Sequence, residues 1–552
     1  MNPFMQSHRC TLSTLGPVHL GTGEDYLPTH YIIDDGYLHA FDDMTLLKGL
    51  GAQGLNNLLS IVERGDDSAL LAVRREILKH KDKLIPLASH SVYVRRGIEN
   101  TYQKRVVNIA QREDGQAARN INNALKIART AANPYSHQPE LTGSAIKGAI
   151  RTAWLDTQLK LLLKENPRAT NDRDFNRNHS KVLLQNSNVT DDPFYSLKVS
   201  DGSYHHHEGL APTETLFAVG VRRKPSEKFA AKPLNTMLEC ISPWRDRCFN
   251  FDIRFLDNRL RTETGKDSGI VPTSLAEMAK ACNDYYLPKL YDELAQLGDE
   301  GRYLQQDWIS SFKTLLSGQS PLLKALLEQK AMLLRIGKHS GALDKTLNNA
   351  RSIKIKGKGG ASDSYRNTTT QVRLAGSREN EQSNLLPFGW VVIEFDDTNI
   401  PELRQIMHQQ SANARQRLVK EQQRLQDKKE AARKLAEAEA EKQRQAAAAE
   451  AQRKAEDAAE QARQAELANM SEEQRLLAQL RHTLANSQQL QGRGPGNPLY
   501  EELRVLVAAA TDWNNTNKAQ ARELTTDIFT LLGINRKKAK AAKKLWDMLK
   551  DA

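Results

Sequence analysis

The chain has 552 residues, enough for roughly three or four domains, of which only 39% are hydrophobic and 6% aromatic. Its net charge of +12 favours a polyanionic partner, most simply a nucleic acid, over an anionic membrane surface. There is no apolar run of about 18 residues and no hydrophobic segment at the start. A transmembrane helix and a secretory signal peptide are therefore not expected.

Cysteine and histidine spacing gives no indication of a metal site. The four cysteines form no C-x-x-C pair, so a zinc ribbon is not predicted, and reduced thiols in the cytoplasm are expected. The histidine run at 205–207 has no second histidine or cysteine cluster nearby, so a polar loop is the better interpretation. No cofactor is predicted.

The first part of the chain contains strand and helix patterns in turn. Residues 8–15 have a strand pattern, a glycine turn follows at 21–23, and a hairpin is predicted over 31–41. Helical patterns then run over about 52–83, and a long helix is predicted after Gly143. This order favours an α+β fold over a doubly wound sheet.

The middle of the chain repeats these patterns. Residues 216–256 alternate as strands do, two helical segments follow, and a strand-rich segment runs over 332–395. We therefore predict two α+β halves. The N-terminal module, with a helical insertion, covers 1–215, and the C-terminal module covers 216–400.

The composition changes abruptly after Pro401. The segment 403–470 lacks Gly and Pro and is rich in helix formers, which predicts a helical arm over 401–470. Its leucines are sparse for a tight seam, so a solvated, partly frayed arm is favoured over a coiled coil. A capping-box pattern at 471–474 opens a small basic helical bundle, predicted over 471–552.

A glycine-containing turn that enters a helix is the strongest binding signal. The helix predicted after Gly143 and Ser144 offers unpaired N–H groups at its N-terminus, which suit a phosphate. Lys147 and Arg151 are four residues apart and share one helix face. A solvated face of an amphipathic helix would have the same pattern.

Two further loops combine glycine with histidine or lysine. The first contains His19, Gly21 and Gly23, and the second contains Gly337, Lys338, His339 and Gly341, with Lys345 just after. Glycine lets a backbone approach a phosphate closely. A plain hairpin turn is the alternative interpretation of the second loop.

Basic residues follow the second loop and also occur near residue 95. Lys354, Lys356 and Lys358 alternate, so on a strand they would share one side and could neutralise several phosphates. A solvated charged face is the alternative. Arg95 and Arg96 lie beside tyrosines, a mixture that suits stacking on single-stranded RNA.

Four segments in order resemble RAMP proteins, the RNA-binding subunits of CRISPR effector complexes. They are residues 15–23 leading into 31–34, the Gly-Ser…Lys-Gly…Arg run at 142–153, residues 334–341, and residues 386–391. Together with residues 192–201, their order is similar to that of the end-capping RAMP subunit of type III-A CRISPR (Csm) complexes. The resemblance covers 8–396, and nothing after 401 belongs to the pattern.

The resemblance implies ferredoxin-like, RRM-related folds and a subunit that contacts the crRNA near its 3′ end. It also implies a role in assembly and crRNA maturation, without a nuclease site. The implied partners are crRNA, the neighbouring backbone RAMP subunit and the small helical subunit, with target RNA nearby and a crRNA-trimming nuclease as a candidate partner of the tail. The predicted RNA-binding residues are His19, Gly21, Gly23, Arg95, Arg96, Gly143, Ser144, Lys147, Arg151, Gly337, Lys338, His339, Lys345, Lys354, Lys356 and Lys358.

The alternative is a RAMP endoribonuclease that processes precursor crRNA. Metal-independent cleavage needs a general base near the 2′-hydroxyl, and His19 and His339 are the candidates. Asp42 and Asp43 follow the first hairpin, where an acidic residue could serve. A helix cap explains the aspartates and phosphate contact explains the histidines, so we predict that the protein is not an enzyme.

Overall fold

The computed structural model describes residues 4–63, 69–106, 125–171, 173–186, 192–205, 209–224, 236–256, 271–356, 362–396, 398–487 and 494–550. The chain divides into two compact units, Met1–Ala432 and Arg433–Ala552. Each unit has its own buried apolar core. A search of the described residues finds no helix with the length and apolar character needed to cross a membrane.

The strands all lie in the first unit and form two large sheets and one small hairpin. Their bounds are β1 Met5–Thr14, β2 Gly21–Tyr26, β3 Tyr31–Asp34, β4 Tyr37–Ala40, β5 His90–Val94, β6 Ile127–Thr130, β7 Glu140–Leu141, β8 Leu197–Val199, β9 Gly202–Tyr204, β10 Thr213–Arg222, β11 Thr236–Ile241, β12 Arg245–Leu256, β13 Ala331–Arg335, β14 Ile353–Ile355, β15 Ser364–Arg366, β16 Gln371–Gly376, β17 Leu386–Pro387 and β18 Trp390–Phe395.

Helices occur in both units. Their bounds are α1 Asp43–Glu63, α2 Ala69–Lys79, α3 Lys81–Leu84, α4 Arg96–Val106, α5 Gly143–Glu165, α6 Arg173–Leu184, α7 Leu275–Glu293, α8 Gln306–Leu315, α9 Pro321–Leu327, α10 Pro401–Ala468, α11 Glu472–Asn486, α12 Pro498–Ala509, α13 Asn515–Leu531 and α14 Lys540–Met548.

The first sheet is organised around β1. Its order is β13-β18-β1-β12-β9-β7, and β8 also pairs with β12. β1 is antiparallel to both β12 and β18, so that Cys10 lies between Phe251 and Phe395. The first strand of the chain therefore pairs with strands that lie about 240 and 380 residues further along.

The second sheet has the order β2-β6-β11-β10-β5-β4-β3, with β16 on β10 and β17 on β16. The predicted hairpin over 31–41 is confirmed as β3 and β4, in which Tyr31 lies opposite Ala40. Antiparallel pairs dominate. β5 is parallel to β10 but antiparallel to β4, and β6 is parallel to β11 but antiparallel to β2. The predicted mixed α+β class is confirmed.

Buried polar groups fix the loop that follows β13. Arg335 is buried and forms ion pairs with Glu293 at 2.9 Å and with Asp344 at 2.8 Å. Its Nε also donates to the Phe388 backbone oxygen at 2.8 Å. Removing one partner would leave a buried charge uncompensated, which makes this set costly to break. It connects α7, β13 and the turn between β17 and β18.

The predicted helical arm forms one continuous helix, α10, whose beginning belongs to the core of the first unit. Leu403 and Met407 are buried, and Arg404 pairs with Asp246 and Glu394. Leu435, further along the same helix, is 66% exposed. The first turns of α10 therefore continue the folded body beyond the predicted boundary at Pro401.

The second unit begins its bundle with the predicted capping box. Ser471 Oγ accepts from the Gln474 N–H at 3.3 Å, and Gln474 Oε1 accepts from the Ser471 N–H at 3.4 Å. Leu503 and Ile528 are among the buried residues that α11 to α14 contribute to one apolar core. This unit lies outside the segment that resembles RAMP proteins.

We expect Leu403→Ala to destabilise the first unit, because this side chain is 0% exposed and its removal leaves a cavity. A loss of about 2–5 kcal/mol in the free energy of unfolding is typical of such changes. Leu435→Ala on the same helix is the matched control and should change little. Chemical denaturation of the full chain, followed by tryptophan fluorescence, checks both. Equal effects of the two changes would contradict burial of the first turns of α10.

Candidate RNA-binding surface

A backbone contact joins two of the predicted glycine loops. The Lys338 N–H donates to the His19 backbone oxygen at 2.8 Å. Gly337 has φ +81°, and a Cβ added there would lie 2.6 Å from the same oxygen. A side chain at this position would therefore be strained and would also collide, which explains the requirement for glycine. The contact brings the Gly21 and Gly337 loops to one place.

The His19 side chain lies beneath this contact. It is 1% exposed, and its Nδ1 lies 2.6 Å from the Glu239 backbone oxygen, so Nδ1 carries the proton. Gly21 covers the other ring edge, because a Cβ added there would lie 3.0 Å from His19 Nε2. Burial lowers the pKa of His19, and the nearby Lys338 charge lowers it further. The ring is therefore neutral near pH 7 and supports the loop from within.

His339 shows that several cations converge on the second loop. Burial lowers its pKa to about 4, and the charges of Lys338, Arg373 and Lys345 contribute to the shift. Its ring packs against Phe388 with centroids 5.5 Å apart. Lys338 and Lys345 are exposed, and Lys345 Nζ donates to the Gly337 backbone oxygen at 3.0 Å. We name Gly21, Gly23, Gly337, Lys338 and Lys345 the glycine-loop surface.

The helix at Gly143 uses its predicted binding groups within the fold. The Gly143 N–H donates to Asp201 Oδ1 at 2.7 Å, and a Cβ added there would lie 2.4 Å from the Val199 backbone oxygen. A carboxylate of this chain thus occupies the helix N-terminus. Ser144, the next residue, is exposed.

Lys147 and Arg151 share one face of α5, as predicted, and that face contacts the segment at 192–199. Lys147 Nζ donates to the Leu197 backbone oxygen at 2.7 Å, and burial lowers its pKa. Arg151 pairs with Asp192 at 2.7 Å and lies over the Phe194 ring at 5.0 Å. Both head groups therefore hold neighbouring segments together.

The remaining predicted cations lie in two places. Arg95 forms a two-pronged ion pair with Glu214, at 2.8 and 3.0 Å, and Arg96 is exposed at the start of α4. On the β14–β15 hairpin, Lys354 pairs with Asp363 at 2.7 Å and Lys356 is exposed. Lys358 lies outside the described residues.

Some of the segments that carry predicted RNA-binding residues contact one another, and others are joined only through intermediate residues. The Gly21 and Gly337 loops touch directly. The Leu20 backbone oxygen accepts from the Ala131 N–H at 2.6 Å, and the Ala131 oxygen accepts from the Glu140 N–H at 2.9 Å, three residues before Gly143. Arg351 Nη2 donates to the Leu343 oxygen at 3.1 Å and so ties the β14 hairpin to the Lys345 segment. No described contact joins Arg95 to the glycine-loop surface.

Asp42 caps the helix α1, as predicted. Asp42 Oδ1 accepts from the Thr45 N–H at 2.7 Å at the start of α1. Hydrogen bonds from the Thr45 side chain and from this N–H lower the Asp42 pKa. Asp43 lies 2.9 Å from His30. Among the described residues there is no cluster of three or more metal-ligating side chains.

Sequence reasoning missed an exposed aromatic residue beside the first loop. Tyr135 is 92% exposed and lies on the turn that connects Ala131 to Glu140. The Asn133-Pro134 pair that precedes it is a turn signal in the sequence. The attachment of this turn to the first loop, however, depends on the contact between Ala131 and Leu20, which are far apart in sequence.

Gly337→Ala should destabilise the first unit by at least about 1 kcal/mol, because alanine is strained at positive φ and its Cβ would also collide with His19. Gly148→Ala is the control, since nothing lies within 4 Å of an added Cβ at this helical position. The control should gain about 0.5–1 kcal/mol. Denaturant unfolding of both variants measures the difference, and a neutral Gly337→Ala would argue against the close contact.

Acid should weaken the first unit partly through His339. Its folded pKa of about 4 lies below the ordinary value of about 6.5, so the unfolded chain binds more protons as pH falls through this window. The stabilising contribution is complete above about pH 6.5 and is lost towards pH 4. His339→Gln should therefore lose less stability than the wild type between pH 7 and pH 5. His482→Gln, an exposed position in the second unit, is the control, and identical losses in all three proteins would contradict the prediction.

Comparison with known proteins finds similar chains among solved structures. No protein-family model matches the sequence, and no curated protein matches it. A chain from a cryo-EM structure of a Csm-crRNA-target RNA ternary complex in a type III-A CRISPR-Cas system is 20% identical. The match covers 70% of this chain and 100% of that one, with a TM-score of 0.43. Csm5 from T. onnurineus is 18% identical, over 69% and 99% of the chains, with a TM-score of 0.40. The chain is thus similar to Csm proteins, the group that its sequence motifs resemble.

Proposed function

We propose that this chain is a non-catalytic RNA-binding subunit that caps the 3′ side of the crRNA in a type III-A CRISPR (Csm) complex. It would support crRNA maturation and assembly in antiviral defence. The observation that carries the proposal is the hydrogen bond between Lys338 and the His19 oxygen, which joins two glycine loops beneath exposed lysines. Two ferredoxin-like RAMP modules would form the body.

The chemistry of the glycine-loop surface suits an RNA backbone. Lys338 and Lys345 are exposed there, and Arg373 is close enough for its charge to act on His339. Lysine provides a mobile point charge, which neutralises phosphates without reading sequence. Lys356 on the β14 hairpin would extend this positive surface, since Arg351 ties that hairpin to the same segment.

In this proposal, several predicted RNA-binding residues would stabilise the folded structure that positions the RNA-binding surface. Lys147, Arg151 and Arg95 have their head groups in internal hydrogen bonds or ion pairs. Their direct contact with RNA remains a prediction. His19 would contribute through its backbone oxygen, which orients Lys338.

A nuclease would need His19 or His339 for proton transfer. The surroundings of both histidines suit a structural role in the two loops better. His19 is buried with one nitrogen on Glu239, and His339 has a pKa of about 4 and lies among cations. A general base works best with a pKa near the operating pH and within reach of the hydroxyl. The proposal therefore describes a subunit that holds RNA without cutting it.

The partners in the proposal follow from the sequence resemblance. They are the crRNA, the neighbouring backbone RAMP subunit and the small helical subunit, with target RNA nearby. The second unit has its own core and a cluster of exposed cations on and before α14, and we propose that it tethers a crRNA-trimming nuclease. These cations are Arg536, Lys537, Lys538, Lys540, Lys543 and Lys544.

The double change Lys338→Glu and Lys345→Glu should weaken binding of single-stranded RNA by the full chain. The slope of log affinity against log salt should become shallower by about 1.4, because each phosphate contact on a single strand contributes about 0.7. Lys164→Glu with Lys324→Glu, two exposed lysines on α5 and α9, is the charge-matched control. An unchanged slope in the test variant, or an equal change in the control, would remove the support for this surface.

The endoribonuclease alternative is tested on the same protein. The full chain is incubated with labelled repeat RNA in EDTA. Specific cleavage that His19→Ala or His339→Ala abolishes would favour the enzyme, and intact RNA with a bound fraction favours the proposal.

A chain that ends at residue 432 tests the tail. Because α10 is buried at Leu403 and Met407, this end point keeps the body intact, whereas a cut at Pro401 would expose its core. We expect complexes with the shortened subunit to bind crRNA with normal affinity but to contain longer, untrimmed 3′ ends. Gel analysis of the copurified crRNA measures this, and unchanged lengths would contradict the tether.

A further inference from the structure

The turn between β6 and β7 holds an aromatic side chain in a fixed, outward position. The Asn133 N–H donates to the Gln138 oxygen at 2.8 Å, and the His137 N–H donates to the Asn133 oxygen at 2.9 Å. Asn133 Oδ1 accepts from the N–H groups of both Tyr135 and Ser136, each at 3.0 Å. Pro134 further restricts the backbone between them. The conformation of the turn is thus set by its own hydrogen bonds.

Tyr135 projects from this turn into solvent. At 92% it is the most exposed of the large apolar side chains in the described residues, and the other exposed ones range from 37% to 67%. Single exposed apolar residues are common on protein surfaces, so exposure alone assigns no role. The rigid support and the location of this tyrosine distinguish it.

The base of the turn is attached to the glycine-loop surface. The Ala131 N–H donates to the Leu20 oxygen at 2.6 Å, one residue before Gly21. The side of the turn packs through His137, whose ring stacks on His90 with centroids 4.2 Å apart and planes 19° apart. The turn that carries Tyr135 is therefore joined, through Ala131 at its base, to the residue that precedes Gly21.

Arg129, which precedes the turn, forms an ion pair with Glu24 at 3.3 Å. The Arg129 guanidinium lies 4.9 Å from the centroid of the Tyr26 ring, and Tyr26 OH lies 2.9 Å from His90 Nε2. The charge of Arg129 contributes to the lowered pKa of both His90, at about 3, and His137, although burial is the largest cause in each case. Arg129 is thus paired and the two histidines are neutral, so the group of this turn that suits a nucleotide is the exposed aromatic ring, on which a flat base can stack.

We propose that Tyr135 is a base-stacking residue for the single-stranded RNA that the glycine-loop surface holds. The phosphates of the strand lie against Lys338 and Lys345, and one base stacks on the phenol ring beside the Gly21 loop. Stacking requires an aromatic face and tolerates any base, so the contact fixes the position of the strand without reading its sequence. This inference rests on the proposed RNA-binding function and adds to it a contact that the sequence motifs do not contain.

The test measures single-stranded RNA affinity for the full chain with Ala, Phe and Trp in place of Tyr135. Tyr135→Ala should weaken binding on the order of tenfold, whereas Tyr135→Phe and Tyr135→Trp should stay close to the wild type, because both keep an aromatic face. Tyr291→Ala, an exposed tyrosine on α7, is the control and should bind normally. The three Tyr135 variants should unfold at the wild-type temperature, since a side chain that is 92% exposed buries little surface.

Two further readouts separate stacking from other roles. RNA quenching of the new tryptophan in Tyr135→Trp, identified by subtracting the quenching of the wild type, would report ring–base contact directly. A series of RNAs, each with one abasic nucleotide, should contain one that weakens the wild type but leaves Tyr135→Ala unaffected. Equal losses for Tyr135→Phe and Tyr135→Ala would assign the effect to the hydroxyl and overturn stacking.

The outcomes also distinguish this inference from the function on which it rests. Normal binding by Tyr135→Ala, together with weakened binding by the Lys338→Glu and Lys345→Glu variant, overturns the stacking role alone. Normal binding by both variants overturns the glycine-loop surface and the stacking role together.

Discussion

The hydrogen bond from the Lys338 N–H to the His19 oxygen is the contact on which the candidate site depends. It requires two backbones to meet without an intervening side chain, and Gly337 provides that space at a positive φ. The same region is fixed from below by Arg335, whose buried charge two acidic residues compensate. The contacting segments adjoin the ends of β1, β13 and β18, which are neighbours in the first sheet. The strand order of that sheet therefore determines where the site lies.

The cations of this chain divide into two groups with different physical roles. Lys147, Arg151 and Arg95 bind carbonyl and carboxylate groups of the fold, and partial burial strengthens each of these contacts. Lys338 and Lys356 are exposed, and Lys345 is exposed as a residue although its Nζ donates to the Gly337 oxygen. The positive charge of the sequence therefore overstates the charge available for binding, because some cations pair with acidic groups and backbone oxygens of the folded chain.

Signals within a few residues of the sequence were sufficient to predict many secondary-structure elements. The hairpin of β3 and β4, the Asp42 cap, the helix after Gly143, the long helix after Pro401 and the Ser471 capping box each depend on a few neighbouring residues. The binding site was harder to predict, because helix spacing gives the face that carries Lys147 and Arg151 but not what that face contacts. Tyr135 was missed for a related reason, because its turn is joined at Ala131 to Leu20, which is distant in sequence.

The sequence by itself determined the local conformations, the net positive charge, the resemblance to Csm subunits and the residues from which a phosphate-binding surface can be built. Only the tertiary structure decided that β1 pairs with β12 and β18, that the Gly21 and Gly337 loops touch, and that α10 begins within the core. The reason is that periodicity and capping act over a few residues, whereas strand pairing and charge compensation select partners hundreds of residues away by burial and shape.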